Sequence, residues 1–183
     1  MALAPGVSLF YSTVCMAIIS YGDLSSLKTK HPGKKVVFCS GTFDLLHAGH
    51  LAFFEDCRKL GDILVVAVGR DEEIRKNKGP NRPIVSEMAR LKLVDALKHV
   101  DYSFLTRPTA ENAGRLSFLE EIFASLKPDI WVANSDENEK QIAERKIFSQ
   151  SSGIPLVILE RIPPPEQDSP STSSIIKKIR DLS

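Results

Sequence analysis

The chain of 183 residues has few of the features that mark specialised protein classes. Its three cysteines are an odd number without zinc-type spacing, which argues against a disulfide framework and suits reduced thiols. The net charge is only +1, so the chain lacks the basic excess of a protein that coats nucleic acid or a membrane surface. It also lacks the roughly 18 consecutive apolar residues that a membrane span needs. We therefore expect a cytoplasmic globular protein that binds neither nucleic acid nor membrane.

The first 20 residues are apolar, but they differ from a signal peptide. They contain no basic residue, and Pro5 and Gly6 interrupt the apolar run early. We expect residues 1–30 to be an N-terminal extension that packs on the domain or on a partner subunit. Residues 31–183 would then form one domain, a size that allows a full core.

An alternation of apolar runs and amphipathic segments indicates the fold class. Strands are predicted at residues 36–39, 63–68, 102–105, 130–133 and 155–159, and helices at 48–60, 86–99, 116–126, 137–150 and 175–182. The second run, ILVVAV, is apolar throughout, as in a central parallel strand covered on both faces. This order predicts an α/β fold, a Rossmann-like parallel sheet with helices on both faces. The charged segment 70–83 is predicted to be a loop at the carboxyl end of the second strand.

The turn after the first strand has the sequence GTFDLLHAGH and is the most informative part of the chain. Gly41 ends the strand, where a residue without a side chain lets a ligand approach the backbone closely. A turn between a parallel strand and a helix N-terminus favours anions, because free N–H groups and the helix dipole both attract negative charge. His47 and His50, separated by an alanine and a glycine, suggest imidazoles directed at a phosphate.

At this turn the chain resembles the nucleotidyltransferase superfamily with the HxGH signature, represented here by His47-Ala48-Gly49-His50. The resemblance covers about residues 34–180 and has three further blocks. They are RKNKGPNRP at 75–83, an arginine eleven positions before Asp101, and STSS at 171–174, which is similar to the phosphate-binding start of the family's last helix. The most similar members are small enzymes for sugar and polyol phosphates. These include the cytidylyltransferases for glycerol 3-phosphate and the adenylyltransferase domain for heptose 1-phosphate.

This resemblance implies transfer of a nucleotidyl group from ATP, which we favour, or CTP to a phosphorylated acceptor, with release of pyrophosphate. His47 and His50 would donate hydrogen bonds to phosphate oxygens, and Lys78 would bridge the acceptor phosphate and the α-phosphate. Expected nucleotide contacts are Gly41, Thr42, Phe43, Gly49, Ser171, Thr172 and Ser173. Expected acceptor contacts are Asp44, Arg90 and Asp136. We expect Mg²⁺ to bind together with the triphosphate rather than at a metal site of the protein. Because members of this family often form homodimers, the resemblance also implies a homodimer.

Two alternative functions stay open. The pair Arg70-Asp71 resembles the archaeal FAD synthases of the same superfamily, in which the acceptor is FMN. A regulatory protein that keeps the nucleotide site without turnover is the other alternative. The intact pair of histidines and Lys78 argue against this last one, because a site released from catalysis would lose such residues first.

Overall fold

The computed structural model describes residues 17–110, 114–135, 138–160 and 171–182. Within these ranges one parallel sheet has six strands in the order β1-β4-β3-β2-β5-β6. The strands are β1 (Ala17–Ile18), β2 (Val36–Gly41), β3 (Ile63–Val68), β4 (Tyr102–Leu105), β5 (Ile130–Asn134) and β6 (Leu156–Leu159). The α-helices are α1 (Leu27–Lys30), α2 (Ala48–Lys59), α3 (Asp71–Lys78), α4 (Glu87–Asp95), α5 (Phe118–Leu126), α6 (Glu139–Ser152) and α7 (Thr172–Arg180). The predicted Rossmann-like α/β fold is confirmed.

Two apolar cores lie on opposite faces of this sheet. In β2, Val36 and Phe38 point into the first core, and Val37 and Cys39 point into the second. This division follows from the two-residue period of a strand, and it requires an apolar run without polar interruptions. Helix α5 covers the first core, whereas α2 and α4 cover the second. The helices therefore lie on both faces, as the sequence predicts.

The first described residues belong to this packed domain. Strand β1 pairs with β4, and a 3₁₀ helix follows it at Tyr21–Ser26. Leu24 and Leu27 are fully buried in the first core. Residues 17–30 therefore contribute to the first core and to one edge of the sheet. Residues 1–16 lie outside the described part of the chain.

Helix α3 corrects the prediction of a loop over residues 70–83. Its first turn carries three carboxylates and its last turn three cations, an order that complements the helix dipole. Lys76 Nζ lies 3.1 Å from Glu72 Oε1 one turn earlier, and Ile74 is buried beneath the helix. Gly79, with φ of 90°, ends the helix. The prediction was wrong because the order of the charges along the segment favours a helix, although their number suggested a solvated loop.

The ends of the remaining helices differ from the prediction by a few residues. Helix α7 begins three residues early because Ser171 is its N-cap, with Oγ accepting the N–H of Ser174 at 3.0 Å. Helix α6 begins two residues late because Asn138 caps it through the N–H of Gln141. None of the helices in the described ranges has the length and apolar character to cross a membrane.

Candidate active site

The turn that carries the predicted site lies at the carboxyl end of β2, in the middle of the sheet. Strand β2 pairs with β3 on one side and β5 on the other, so the chain order reverses direction here. Ligands of open α/β sheets bind in the crevice outside such a reversal. Gly41 is the last residue of β2, and its carbonyl accepts the N–H of Gly69 at 2.9 Å. The sheet therefore fixes the start of the turn.

The conformation of the turn explains why a glycine is needed at position 41. A Cβ atom there would lie 2.7 Å from Cζ of Phe43, so the packed ring would have to move to admit it. Phe43 has φ of 51° and folds its ring back under the strand. The ring then packs on Phe54 and meets the edge of His50, at centroid distances of 4.9 and 5.7 Å. The turn and the second histidine are thus packed as one unit.

The two histidines lie together at the N-terminus of α2. His47 is the N-cap residue, and its Nδ1 accepts the backbone N–H of Gly49 at 3.1 Å. This hydrogen bond assigns the ring proton to Nε2, which becomes the donor of the imidazole. The rings of His47 and His50 are stacked, with centroids 3.9 Å apart and planes 29° from parallel. The helix N-terminus and the imidazoles form the kind of site that binds phosphate.

Asp44 is predicted to contact the acceptor, but its carboxylate is turned into the protein. The residue is 1% exposed, and its Oδ2 accepts from Arg82 Nε and the N–H of Ile84, both at 2.9 Å. Its Oδ1 accepts the N–H of Val85 at 2.9 Å. Burial alone would raise the pKa of this carboxyl, but the two backbone N–H groups and Arg82 outweigh it and lower the pKa. In this structure Asp44 holds the segment after α3 against the turn.

Arg90 is likewise predicted to contact the acceptor, and its guanidinium is fully buried. Its Nε donates to the carbonyl of Val85 at 2.9 Å, and its Nη1 donates to the carbonyl of Thr42. Its Nη2 donates to the carbonyl of Gly69 and to Asp71 Oδ1, both at 2.7 Å. In this structure all four of these hydrogen bonds are donated to the protein itself. Arg90 joins the turn, the end of β3 and the start of α3.

A third contact joins the last helix to the same turn. Thr172 Oγ1 donates to the backbone carbonyl of Asp44 at 2.8 Å. This hydrogen bond holds the predicted Ser171–Thr172–Ser173 segment beside the turn. Ser171, the N-cap residue of α7, is partly buried. Two of the separated sequence blocks, GTFD and STSS, therefore meet in space.

A cavity of about 590 Å³ opens at the carboxyl edge of the sheet, beside Gly41 and Thr42. Helix α3 forms one wall and contributes Lys78, the predicted bridging cation. The histidines lie outside its lining, on α2 beyond the turn. The described lining has five cations and one carboxylate: Lys76, Lys78, Arg107, Arg115, Arg145 and Glu73. The cavity is thus suited to an anion that reaches the turn.

Three of these arginines are functional candidates that the sequence analysis missed. Arg107 and Arg115 come from the segment after β4, and Arg145 lies on α6. The Arg145 guanidinium lies over the ring of Trp131, 5.0 Å from its centroid, in a residue that is 9% exposed. The sequence could have indicated Arg107 and Arg115, because they follow a strand and ligands of such sheets bind at the carboxyl ends of the strands. Asp136, the third predicted acceptor contact, lies outside the described residues.

The described residues contain no group of three or more His, Cys, Asp or Glu side chains arranged to hold a metal ion. The carboxylate in the cavity, Glu73, accepts a hydrogen bond from Thr109 Oγ1 at 3.1 Å. Asp71 binds Arg90, and Asp44 binds Arg82. The described residues therefore offer no side-chain cage to which Mg²⁺ could be assigned.

The cytidylyltransferase-like family model matches residues 38–179, which is more than half of the chain. The chain therefore belongs to this family, and the predicted resemblance to the nucleotidyltransferases with the HxGH signature is confirmed. The proteins called bifunctional protein HldE are among its relatives. The one from Desulfatibacillum aliphaticivorans is 36% identical over 152 residues, or 83% of this chain and 28% of that protein. The one from Campylobacter curvus is 32% identical over 164 residues, or 90% of this chain and 31% of that protein.

The chain thus spans less than a third of the length of these curated relatives. Among solved structures, the lipopolysaccharide core biosynthesis protein from Thermoplasma volcanium is 34% identical with a TM-score of 0.57. That match covers 71% of this chain and 98% of the other. Pantoate-beta-alanine ligase from Francisella tularensis has a TM-score of 0.61 over 90% of this chain and 77% of its own. At 14% identity it supports the fold alone.

Proposed function

We propose that this protein transfers a nucleotidyl group from a nucleoside triphosphate to a phosphorylated sugar or polyol. The observation that carries the proposal is a basic cavity lined by Gly41 and Thr42, the first residues of the turn that leads to the stacked histidines at the N-terminus of α2. An oxygen of the acceptor phosphate attacks the α-phosphorus, and the bond from that phosphorus to the bridging β-oxygen breaks. Pyrophosphate leaves with the electron pair. The acceptor phosphate is already anionic, so the reaction needs no strong base.

Catalysis would come from positioning and from stabilising the charge that grows on the phosphate oxygens. His47 and His50 would donate hydrogen bonds to those oxygens, beside the N-terminus of α2. Lys78, on the wall of the cavity, would bridge the acceptor phosphate and the α-phosphate. The Ser171 and Ser173 region would bind the outer phosphates, since Thr172 holds that helix start against the turn. The N–H groups of Gly41, Thr42, Phe43 and Gly49 would complete the nucleotide contacts.

Two observations favour a sugar or polyol phosphate over FMN as the acceptor. The Arg70-Asp71 pair, on which the likeness to FAD synthases rests, makes contacts within the protein: Arg70 with Glu87 at 3.1 Å and Asp71 with Arg90 at 2.7 Å. The described cavity lining also has a single aromatic residue, Phe118, so it offers little surface for stacking a flavin ring. Hydroxyl and amide side chains from Ser40, Thr106, Asn77 and Gln141 suit an acceptor rich in hydroxyl groups.

Four further features complete the proposed function. ATP is favoured over CTP on the resemblance of the last helix to the heptose-phosphate type. Mg²⁺ would accompany the triphosphate, because hard cations bind mainly through substrate phosphates. A homodimer and a cytoplasmic location stay predictions from the family and the composition.

The test is pyrophosphate release by the wild-type chain with Mg²⁺. ATP and CTP are each paired with heptose 1-phosphate, glycerol 3-phosphate and FMN. We expect release with one triphosphate and one sugar or polyol phosphate, and a loss of at least about 10²-fold in His50→Ala. Lys140→Ala, on exposed α6, is the matched control and should keep full activity. Release with FMN alone would favour FAD synthase. Triphosphate binding without release from any pair would favour the regulatory alternative.

A further inference from the structure

Tyr21 lies before the stretch that the family model matches, yet it contacts a wall of the cavity. It is the first residue of the 3₁₀ helix that follows β1, whereas the family match begins at residue 38. Its hydroxyl oxygen accepts the backbone N–H of Arg107 at 3.1 Å. The Arg107 guanidinium lies over the Tyr21 ring, 4.3 Å from its centroid. One side chain therefore holds both the backbone and the side chain of a residue that lines the cavity.

Tyr21 and the Arg107 side chain have further contacts that fix them. The Tyr21 ring packs edge-on against Phe104 of β4, at a centroid distance of 5.3 Å, on the first-core face of the sheet. The Arg107 guanidinium also forms an ion pair with Glu121 of α5. The ring and the carboxylate limit the positions of this long side chain, although more than half of it is exposed. Such preorganisation lowers the entropy that is lost when the guanidinium binds a ligand.

The residue before Arg107 ties the same wall to the sheet. The N–H of Thr106 donates to the carbonyl of Val68 at 3.0 Å, and its carbonyl accepts from Arg70 Nε at 2.7 Å. Thr106 is thus held by β3 and by the N-cap residue of α3, and the next residue is held by Tyr21. A change at Tyr21 therefore acts on Arg107 while the end of β4 keeps its place.

The register of the sheet relates this wall to the proposed reaction centre. Gly41 of β2 pairs with Val68 of β3, and Val68 pairs with Leu105 of β4. These three residues stand at one level of the sheet, and Arg107 follows two positions after the last of them. Neighbouring strands are about 4.8 Å apart, so the end of β4 lies roughly 10 Å from Gly41. The ligand group that meets Arg107 therefore lies well away from a phosphate that reacts at the Gly41 turn.

We propose that Tyr21 is a positioning residue that holds Arg107 at the acceptor cavity, where the guanidinium donates hydrogen bonds to hydroxyl oxygens of the acceptor. A guanidinium carries five N–H donors and no acceptor, so hydroxyl oxygens are suitable partners. This inference rests on the proposed function for the identity of the cavity as the acceptor site. It favours acceptors whose hydroxyl groups extend well beyond the phosphate, such as a sugar phosphate over a three-carbon polyol phosphate.

The test compares the binding of α-D-mannose 1-phosphate and inorganic phosphate, measured calorimetrically with Mg²⁺ and α,β-methylene-ATP present. Only the first probe brings hydroxyl groups that can extend towards β4. We expect Tyr21→Leu to weaken binding of the mannose compound about three- to tenfold and to leave phosphate binding unchanged. Tyr21→Phe keeps the ring beneath the guanidinium and loses only the hydroxyl, so its loss for the mannose compound should be about twofold.

A double variant shows whether Tyr21 acts through Arg107. Arg107→Ala should weaken binding of the mannose compound at least as much as Tyr21→Leu does. The double variant Tyr21→Leu/Arg107→Ala should then bind it no more weakly than Arg107→Ala alone. Tyr102→Phe is the matched control, because it removes the hydroxyl of another first-core tyrosine at the opposite end of β4, 2.7 Å from His31 Nε2. It should leave the binding of both probes unchanged.

Four results would overturn the inference: a wild type that binds the mannose compound no more tightly than phosphate, a Tyr21→Leu variant that binds both probes as the wild type does, a variant that loses both probes equally, or losses that add in the double variant. These readouts need no turnover, so they are separate from the proposed reaction. The expected binding losses without pyrophosphate release from any pair would refute the reaction and keep the positioning role. Pyrophosphate release with unchanged binding in Tyr21→Leu would do the reverse.

Discussion

The buried carboxylate of Asp44 gives the most quantitative prediction of this structure. It accepts from two backbone N–H groups, those of Ile84 and Val85, and from Arg82, all at 2.9 Å. Its side chain is fully buried, and that of Arg82 is 16% exposed. Asp44→Ala leaves both N–H groups and the guanidinium without their partner. Removing one partner from such a buried network costs about 3–5 kcal/mol, a large part of the roughly 5–15 kcal/mol that stabilises a domain.

The effect of pH follows from the lowered pKa of Asp44. A carboxyl whose pKa is lower in the folded state stabilises the fold above its unfolded pKa, and this contribution is lost as the pH falls through the folded pKa. The difference in the free energy of unfolding between wild type and Asp44→Ala should therefore be complete at pH 7. It should shrink at pH values below about 4, the ordinary range for aspartate.

Urea unfolding followed by circular dichroism at pH 7 and pH 3 measures both quantities. Asp44→Asn keeps the volume and one acceptor oxygen, so it should lose less stability than Asp44→Ala. Asp181→Ala, at the exposed end of α7, is the control and should change the free energy of unfolding by less than about 0.5 kcal/mol. A loss below about 1 kcal/mol for Asp44→Ala, or a loss that is the same at both pH values, would refute this reasoning.

Three further predictions concern the turn and its supports. Gly41→Ala should lower the free energy of unfolding in urea by about 1–3 kcal/mol, because its Cβ would lie 2.7 Å from the Phe43 ring. Gly69→Ala is the control: its Cβ would meet no atom closer than 3.6 Å, so the loss should be less than about 0.5 kcal/mol. His47→Ala should lose about 1 kcal/mol of stability with the N-cap, whereas His47→Asn should keep the cap; both should lower kcat/KM by about 10²-fold or more. Equal stability of the two His47 variants would contradict the capping role. Arg90→Lys should lower the free energy of unfolding by about 3 kcal/mol, because an ammonium group cannot reproduce the four hydrogen bonds of a planar guanidinium. An unchanged free energy of unfolding would contradict this role of Arg90.

The phosphate turn is predictable from sequence because its residues are close along the chain. Gly41, His47 and His50 lie within ten positions, after an apolar run that identifies the strand. Their local geometry depends on one strand end and one helix start. The alternation of strands and helices then fixes the side of the sheet on which they lie.

The residues around the turn are harder to predict, because their roles depend on contacts between distant segments. Asp44 and Arg90 were expected at the acceptor, since a motif identifies a residue as important without giving the direction of its side chain. In the structure both side chains are buried and hydrogen-bonded to the protein itself. Arg145 reaches the cavity only because α6 packs beside β5, over Trp131. No pattern in the sequence of α6 indicates that Arg145 lies at the cavity.

Helix α3 shows another limit of sequence analysis. The helix is specified by the order of charges, which a count of charged residues does not capture.

In the proposed reaction an acceptor phosphate and a nucleotidyl group become joined at the turn between β2 and α2. The most direct measurement is ³¹P NMR of the reaction of the wild-type protein with Mg²⁺, ATP or CTP and a sugar phosphate. We expect two coupled signals of a new diphosphate ester and one equivalent of pyrophosphate, both absent with His50→Ala. Release of inorganic phosphate instead of pyrophosphate, or formation of the same product by His50→Ala, would contradict the proposed reaction.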